Sequence, residues 1–374
     1  MSRSIPPKAD ELEISIIGPG RGECIIVHLG DGEWCVIDSC NARQSNEAVA
    51  VEYLQSFGND ALSKVRLIVA THWHDDHIRG LASTYRQAPN ARFCCSTALS
   101  SKEFKTLLAS AGVSLSGRSG VDEMLEISEL IRQRRESAPE LGPLQYAIEN
   151  RALLHLPKPG RSFSSSVTAL SPSDETVSIA LAQVADLLPK VGEPQHRIVN
   201  HSPNHASVVL WIEAGCRRVL LGADLEHTNR NGQGWKAILS SRQDTVPASL
   251  FKVPHHGSEN ADCPDIWTEM LENDPVAVVT PFTAGVRLPK DADIERLAAR
   301  TTNLYRTSVA SVKPPVREAS VERKMRQDAQ ERRILDGQPG HVRVRWSVQD
   351  PGSMPQIEVF NGALRVSAAS ALAP

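Results

Sequence analysis

The chain has 374 residues, of which 41% are hydrophobic and 23% charged, and a formal net charge of −3. That length and balance provide ample apolar core for one large domain or two ordinary ones, and they exclude a disordered chain. The near-neutral charge excludes a globally basic nucleic-acid binder, so any such contact needs a local patch.

The opening MSRSIPPKADELEIS lacks a hydrophobic signal core, and no uninterrupted apolar run approaches the roughly 20 residues of a membrane helix. The expectation is a cytoplasmic protein without membrane contact. Seven cysteines (Cys24, Cys35, Cys40, Cys94, Cys95, Cys216, Cys263) sit mostly inside apolar segments. Odd in number and scattered, they read as reduced core thiols and not as a disulfide frame or a cysteine zinc knuckle.

In chain order, residues 13–17 and 24–29 read as two strands joined by the turn Gly18-Pro19-Gly20-Arg21-Gly22. Asp31-Gly32 signals a hairpin into a strand at 33–38. Residues 48–57 have helical spacing, and 65–70 form an apolar, β-branched strand candidate. From about 100 to 150 the pattern turns helical and charged, with a break at Gly117–Gly120. We expect a helical insertion there, at about 98–165.

Residues 167–170 return to a strand, and 177–188 read as a helix. The second half repeats the logic. Strands are expected at 207–212, 218–222, 248–253 and 276–280, with helices at 235–239 and 291–300. A charged helix at 317–333 precedes strand candidates at 341–348 and 356–359. Two half-units of strands with helices outside argue for a layered α/β fold. The expected division is one domain over 1–315 and an extension over 316–374 packed on it.

Behind the strand at 65–70 stands His72-Trp73-His74-Asp75-Asp76-His77, three histidines and two aspartates in six positions. Imidazoles and carboxylates suit zinc and similar divalent metals, which need several deprotonated ligands converging at about 2.0–2.2 Å. Residues two apart on an extended segment project the same way, so His72 and His74 can share one ion, while Asp76 and His77 face a neighbouring one. Two later clusters have the same character. Asp224 in GADLE follows the strand at 218–222, and His255 and His256 in VPHHGS follow the strand at 248–253, with Gly257 permitting a tight turn. Asp224 can bridge two ions through its two oxygens. One histidine of the later pair can complete the second ion, leaving the other for substrate contact or proton transfer.

These residues resemble the metallo-β-lactamase superfamily, whose H-x-H-x-D-H hallmark is matched by His72, His74, Asp76 and His77. Within it the chain looks most like the hydrolase domain of bacterial competence DNA-uptake channels and its stand-alone relatives. The supporting segments are GECIIVHLGDGEWCVIDS, LSP at Leu170–Pro172, NHASVVL at Asn204–Leu210, LLGADLE, FKVPHHGS and LYRTS at Leu304–Ser308. The resemblance covers roughly 12–310, apart from 98–165, and implies a four-layer αββα sandwich with a dinuclear site at one edge. It implies a first metal held by His72, His74 and Asp224, and a second held by Asp76, His77, Asp224 and His256. Asp38 would prop the ligand loop. Asp76, Asp224 and His255 are the catalytic candidates; Asp75, Asn204, His205 and Ser258 are candidates for supporting the site or touching substrate.

The chain departs from the family in two places. A third histidine usual on the first metal is replaced by NHSPNHAS, where His201 and His205 are the only imidazoles. FTAGVRLP at Phe282–Pro289 lacks a histidine that relatives often carry. Zinc suits the histidines, and manganese suits a carboxylate bridge. Two divalent ions lower the pKa of a water and stabilise charge growing on a phosphoryl or carbonyl oxygen. The implied activity is a phosphodiesterase or nuclease acting on nucleic acid, supported locally by Arg132-Gln133-Arg134-Arg135. The competing readings are a hydrolase of small esters or thioesters and a non-catalytic, metal-bound module for a protein partner.

Overall fold

A computed structural model describes the chain except for residues 1–4, 19–21, 43–44, 59, 100–119, 187–202, 243–245, 284–285, 309–317, 319, 322, 325–338 and 367–374. The expected helix at 317–333 and the first half of the insertion therefore lie largely outside the described residues.

Two eight-stranded sheets make the centre. The first runs β15-β14-β1-β2-β3-β4-β5-β6 and the second β16-β13-β12-β11-β10-β9-β8-β7. In the first sheet β1 is Glu11–Gly18, β2 Cys24–His28, β3 Trp34–Ile37, β4 Val65–Ala70, β5 Arg92–Ser96 and β6 Leu144–Ala147. β14 (Gly340–Ser347) and β15 (Gln356–Phe360) complete it. The second contains β7 (Arg151–Leu156), β8 (Ser165–Ala169), β9 (Leu210–Ala214), β10 (Arg217–Leu221), β11 (Ala248–Lys252), β12 (Leu271–Val279), β13 (Leu304–Arg306) and β16 (Leu364–Arg365).

Alternation along the strands sets the layers. In β1, Leu12, Ile14 and Ile16 enter the core between the sheets, while Ile17 joins the core on the opposite face. In β12, Val276 and Val278 face the first sheet, and Ala277 and Val279 face away from it. Such strands are apolar on both faces because both faces are covered. The outer face of the first sheet is covered by helices Val49–Gln55, Leu81–Gln87 and Gly120–Ser137. The second is covered by Gly234–Ser241, Pro264–Glu269 and Asp291–Ala298. Three apolar clusters between successive layers make a four-layer αββα sandwich, the architecture the resemblance implied.

The helical character expected over 98–165 holds, among the described residues, chiefly for Gly120–Ser137. Met124, Ile127 and Ile131, spaced three and four apart, lay that helix on the first sheet. The expectation is corrected beyond it: Leu144–Ala147 and Arg151–Leu156 are edge strands, one in each sheet. They escape periodicity because an edge strand is half exposed and short. The last strands also belong to the sheets: β14 pairs antiparallel with β1 over eight residues, and β16 pairs with β13.

Strand direction positions the site. β3, β4 and β5 run parallel, as do β10, β11 and β12. The segments leaving β3, β4, β10 and β11 therefore emerge together beyond the carboxyl ends of their strands, where open α/β sheets leave a crevice.

Candidate metal centre

Asp38 follows β3, residues 71–77 follow β4, Asp224 follows β10, and His255 and His256 follow β11. Four of these turn residues have positive φ: Asp38 at 56°, Ala223 at 46°, His255 at 45° and His256 at 54°. Aspartate and histidine enter that region more readily than most residues, but alanine rarely does, so Ala223 marks a turn its surroundings impose. Gly257 follows at φ 80°, with the space for its missing side chain taken by Leu297 and Pro289 at 3.3 Å.

Asp38 is fully buried and accepts three hydrogen bonds. Thr71 N donates to Oδ1 at 2.8 Å, while Thr71 Oγ1 and His77 Nδ1 each donate to Oδ2 at 2.7 Å. Because Thr71 Oγ1 spends its proton on Asp38, it accepts from His72 Nδ1 at 2.9 Å. One carboxylate thus orients two imidazoles, one directly and one through a hydroxyl. His256 Nδ1 donates to the Thr280 carbonyl at 2.7 Å. In all three rings Nδ1 is tied outward and Nε2 turns into the cluster, the arrangement that supporting hydrogen bonds impose on metal-ligating histidines.

Asp224 Oδ2 sits at the meeting point, 3.4 Å from His77 Nε2, 3.5 Å from His256 Nε2 and 3.9 Å from His72 Nε2. Asp76 Oδ2 lies 3.2 Å from His256 Nε2 and 3.6 Å from His77 Nε2. The ligand-type atoms of Asp76, His77, Asp224 and His256 all fall within 4.8 Å of one another, and so do those of Asp38, His72 and His77. His74 presents Nδ1 to His72 Nε2 at 3.2 Å. His77 Nε2 and Asp224 Oδ1 are buried without a hydrogen-bond partner among the described residues. Buried polar atoms are rarely left so. The donor set suits a divalent cation, with Asp76, His77, Asp224 and His256 gathered as one group, while His72, His74 and Asp224 do not form such a group among the described residues.

The electrostatics agree with this chemistry. Burial disfavours a charged imidazole at His77, but the carboxylates of Asp224, Asp76 and Asp38 hold its pKa well above the usual value. At His256 burial is likewise outweighed, by Asp224 and Asp76. Burial, with His77⁺ adding to it, pushes His72 well below the ordinary range. Against burial, His77 and His256 depress Asp224. A cluster that holds protons between carboxylates can exchange them for cations.

The remaining candidates stand around this group. His255 is held beside the group by two amides: its Nδ1 lies 2.9 Å from Asn260 Oδ1 and its Nε2 3.3 Å from Asn204 Nδ2. Asn204 Nδ2 also donates to Glu226 Oε1 at 2.9 Å. His205 is half exposed, with Nε2 3.8 Å from Glu226 Oε2, so it faces that glutamate and not the His72–His74 pair. His201 lies outside the described residues. Asp75 accepts from Gly120 N at the start of the insertion helix and ion-pairs with Arg79. Ser258 contributes its backbone, N–H to His255 O at 2.9 Å. In the segment lacking the family histidine, Phe282 stacks on His256 with centroids 5.2 Å apart.

Sequence reasoning missed Thr71, Thr280, Glu226 and the buried pair Glu23 and Lys252. Lys252 left a signal, a charge within the apolar strand ASLFK, which is costly unless paired.

Comparison with solved structures finds metallo-β-lactamase fold proteins. The YhfI protein of Bacillus subtilis aligns at 10% identity and TM-score 0.39, over 79% of this chain and 95% of that one. A variant of the CmlA beta-hydroxylase aligns at 14% identity and TM-score 0.33, over 66% of this chain and 36% of that one. A motif mutant of a Cronobacter sakazakii metallo-β-lactamase aligns at 11% identity and TM-score 0.30, over 63% of this chain and 70% of that one. No protein-family model and no curated protein sequence matches the chain.

Proposed function

We propose that this chain is a metal-dependent hydrolase of the metallo-β-lactamase superfamily, acting on phosphodiesters through two divalent cations. The observation that carries the reading is the placement of Asp224 Oδ2 within 3.9 Å of three imidazole Nε2 atoms, each turned inward by a bond at its other nitrogen. On this reading His72, His74 and Asp224 hold one cation, and Asp76, His77, Asp224 and His256 hold the other. Such a pair supplies an acidified water and stabilises negative charge growing on the substrate. The chain's own residues keep the site in shape: Asp38 and Thr71 set the ring orientations, and the Thr280 carbonyl holds His256. Asn204 and His255 stand beside Glu226 next to this group.

Phosphodiester cleavage is the activity implied by the motif resemblance, and the arginine run adds little support for nucleic acid. Arg134 lies over the Tyr85 ring at 3.7 Å and donates to the Ala88 and Ala91 carbonyls at 2.9 Å. Arg132 is paired with Glu129 and Glu136 at 2.7 Å. We propose further that the strands at 340–365 and the core sheets form one domain.

The deciding experiment is metal analysis of wild type and His74→Ala, with rates on bis-p-nitrophenyl phosphate, single-stranded DNA, duplex DNA, RNA and a panel of small esters. Expected is a metal-loaded wild type that cleaves a phosphodiester and loses activity in chelator. A metal-loaded protein inert on every phosphodiester but active on one ester would replace this substrate class.

A further inference from the structure

Beneath the cluster lie two charged side chains out of reach of solvent. Glu23 and Lys252 are both 0% exposed, and Lys252 Nζ is 2.8 Å from Glu23 Oε2. Taking two charges out of water is expensive, and a well-packed apolar pair of similar volume is often as stable or more so. The pair is a poor strut, so what it touches has to account for it.

Together the two residues touch two of the ligand-bearing segments directly and reach the third, the His256 turn, through Thr280. Glu23 N donates to Asp76 O at 2.9 Å, tying it to the histidine loop. Its Oε2 accepts from Thr280 Oγ1, and the Thr280 carbonyl accepts from His256 Nδ1 at 2.7 Å. Lys252 Nζ donates to Ala223 O at 2.9 Å and lies 3.8 Å from Asp224 Oδ1. The Asp224 turn is thus held at its carbonyl and drawn at one carboxylate oxygen, which leaves Oδ2 to face the imidazoles. Glu23 Oε1 has no hydrogen-bond partner among the described residues and is 4.0 Å from His77 Nδ1. Gly22, next to it, has φ 138°, and a side chain there would meet Asp76 O at 2.8 Å. The backbone approach that brings Glu23 against the loop therefore needs a glycine.

We infer that Glu23 and Lys252 are the positioning residues of the metal centre: Lys252 aims the Asp224 carboxylate, and Glu23 holds Lys252, the Asp76–His77 loop and the His256 turn in one register. The inference rests on the reading of the cluster as a cation site. Neither residue touches the reacting groups; both act through Asp224, Asp76 and His256.

The test uses the full chain with Glu23→Leu and Lys252→Met combined, which removes both charges and keeps most of the volume. Zinc affinity is read by competition with a chromophoric chelator, and the fold by thermal unfolding of chelator-treated protein. Expected is a metal-free melting temperature close to wild type, with zinc affinity lower by about tenfold or more, the size of effect that supporting residues have. A folded double variant that binds zinc as wild type does overturns the inference and leaves the cation reading standing. If the double variant does not fold, Thr280→Val decides. It keeps the carbonyl that receives His256 and removes the hydroxyl, which donates to Glu23 and also lies 3.4 Å from His256 Nδ1; a several-fold loss of zinc affinity supports the inference and wild-type affinity overturns it. A wild type that binds no zinc, manganese or other divalent cation removes the cation reading and this inference together.

Discussion

His77 Nδ1 stands 2.7 Å from Asp38 Oδ2, and both side chains are completely buried. The same oxygen receives Thr71 Oγ1, so the orientations of His77 and, through Thr71, of His72 depend on one carboxylate. Replacing it with an amide leaves a single acceptor for three donors. Asp38→Asn should cost about 1–3 kcal/mol for the buried donor left unpaired. It should also weaken zinc binding about 10- to 100-fold. Urea unfolding and chelator competition measure the two effects separately, and an unchanged zinc affinity would show the anchor to be dispensable.

Zinc uptake should release protons. The pKa values of His77 and His256 are raised, since Asp224 and Asp76 outweigh the opposing effect of burial. The shifts favour the protonated rings in the metal-free protein, and a cation must displace the protons those rings hold. Zinc affinity then falls as pH is lowered below neutrality. Calorimetric titration in two buffers of different ionisation heat gives the proton count, and a count of zero would refute this account of the cluster.

Asp75 lies between ligands in sequence yet binds the insertion helix, through Gly120 N. The unpaired N–H groups of a helix start favour such an acceptor, and losing it costs about 1 kcal/mol. Asp75→Ala should speed amide exchange in the first turn of Gly120–Ser137 and leave metal content unchanged. Loss of metal would instead give Asp75 a part in the centre.

His341 is buried between aromatic rings, its own ring stacked on Phe360 at 5.1 Å and edge-on to Tyr53 at 5.3 Å. Burial, helped by Arg343 and Arg345, pushes its pKa down to about 3. An unfolded chain binds a proton there near pH 6.5 while the folded one stays neutral. This residue's contribution is therefore present above 6.5 and lost as pH falls toward 3, at up to about 1.4 kcal/mol per pH unit. Between pH 6.5 and 4, His341→Phe should lose stability less steeply than wild type in urea unfolding; parallel curves would contradict the assignment.

Much of the architecture is legible from residue pattern. Val65–Ala70 is a nearly continuous apolar run, and Arg217–Leu221 and Ala248–Lys252 each carry a short apolar stretch, because they lie between covered faces. The edge strands Leu144–Ala147 and Arg151–Leu156 and the two-residue β16 are not legible, since half-exposed pairing leaves little periodic trace. The candidate site divides in the same way. His72, His74, Asp76 and His77 advertise themselves by local spacing, and Asp224 and the His255–His256 pair by following apolar strands. The sequence is silent on Thr71 and Thr280, because a hydroxyl or a carbonyl becomes a support only when something folds against it.

The donor types, the strands that end beside them and the layered α/β class follow from short-range order, because side-chain chemistry and strand alternation are properties of neighbours. Their convergence does not. His256 Nε2 reaches Asp76 Oδ2 across a separation of 180 residues, and only the parallel pairing within each sheet and the packing of sheet on sheet bring them to one edge. Tertiary structure also decided that His256 faces the cluster while His255 turns to Asn204 and Asn260, since adjacent residues in a strained turn project in different directions. It decided, too, that a glutamate and a lysine far apart in the chain meet beneath the cluster, because only the packed interior makes an unpaired charge too costly to leave alone.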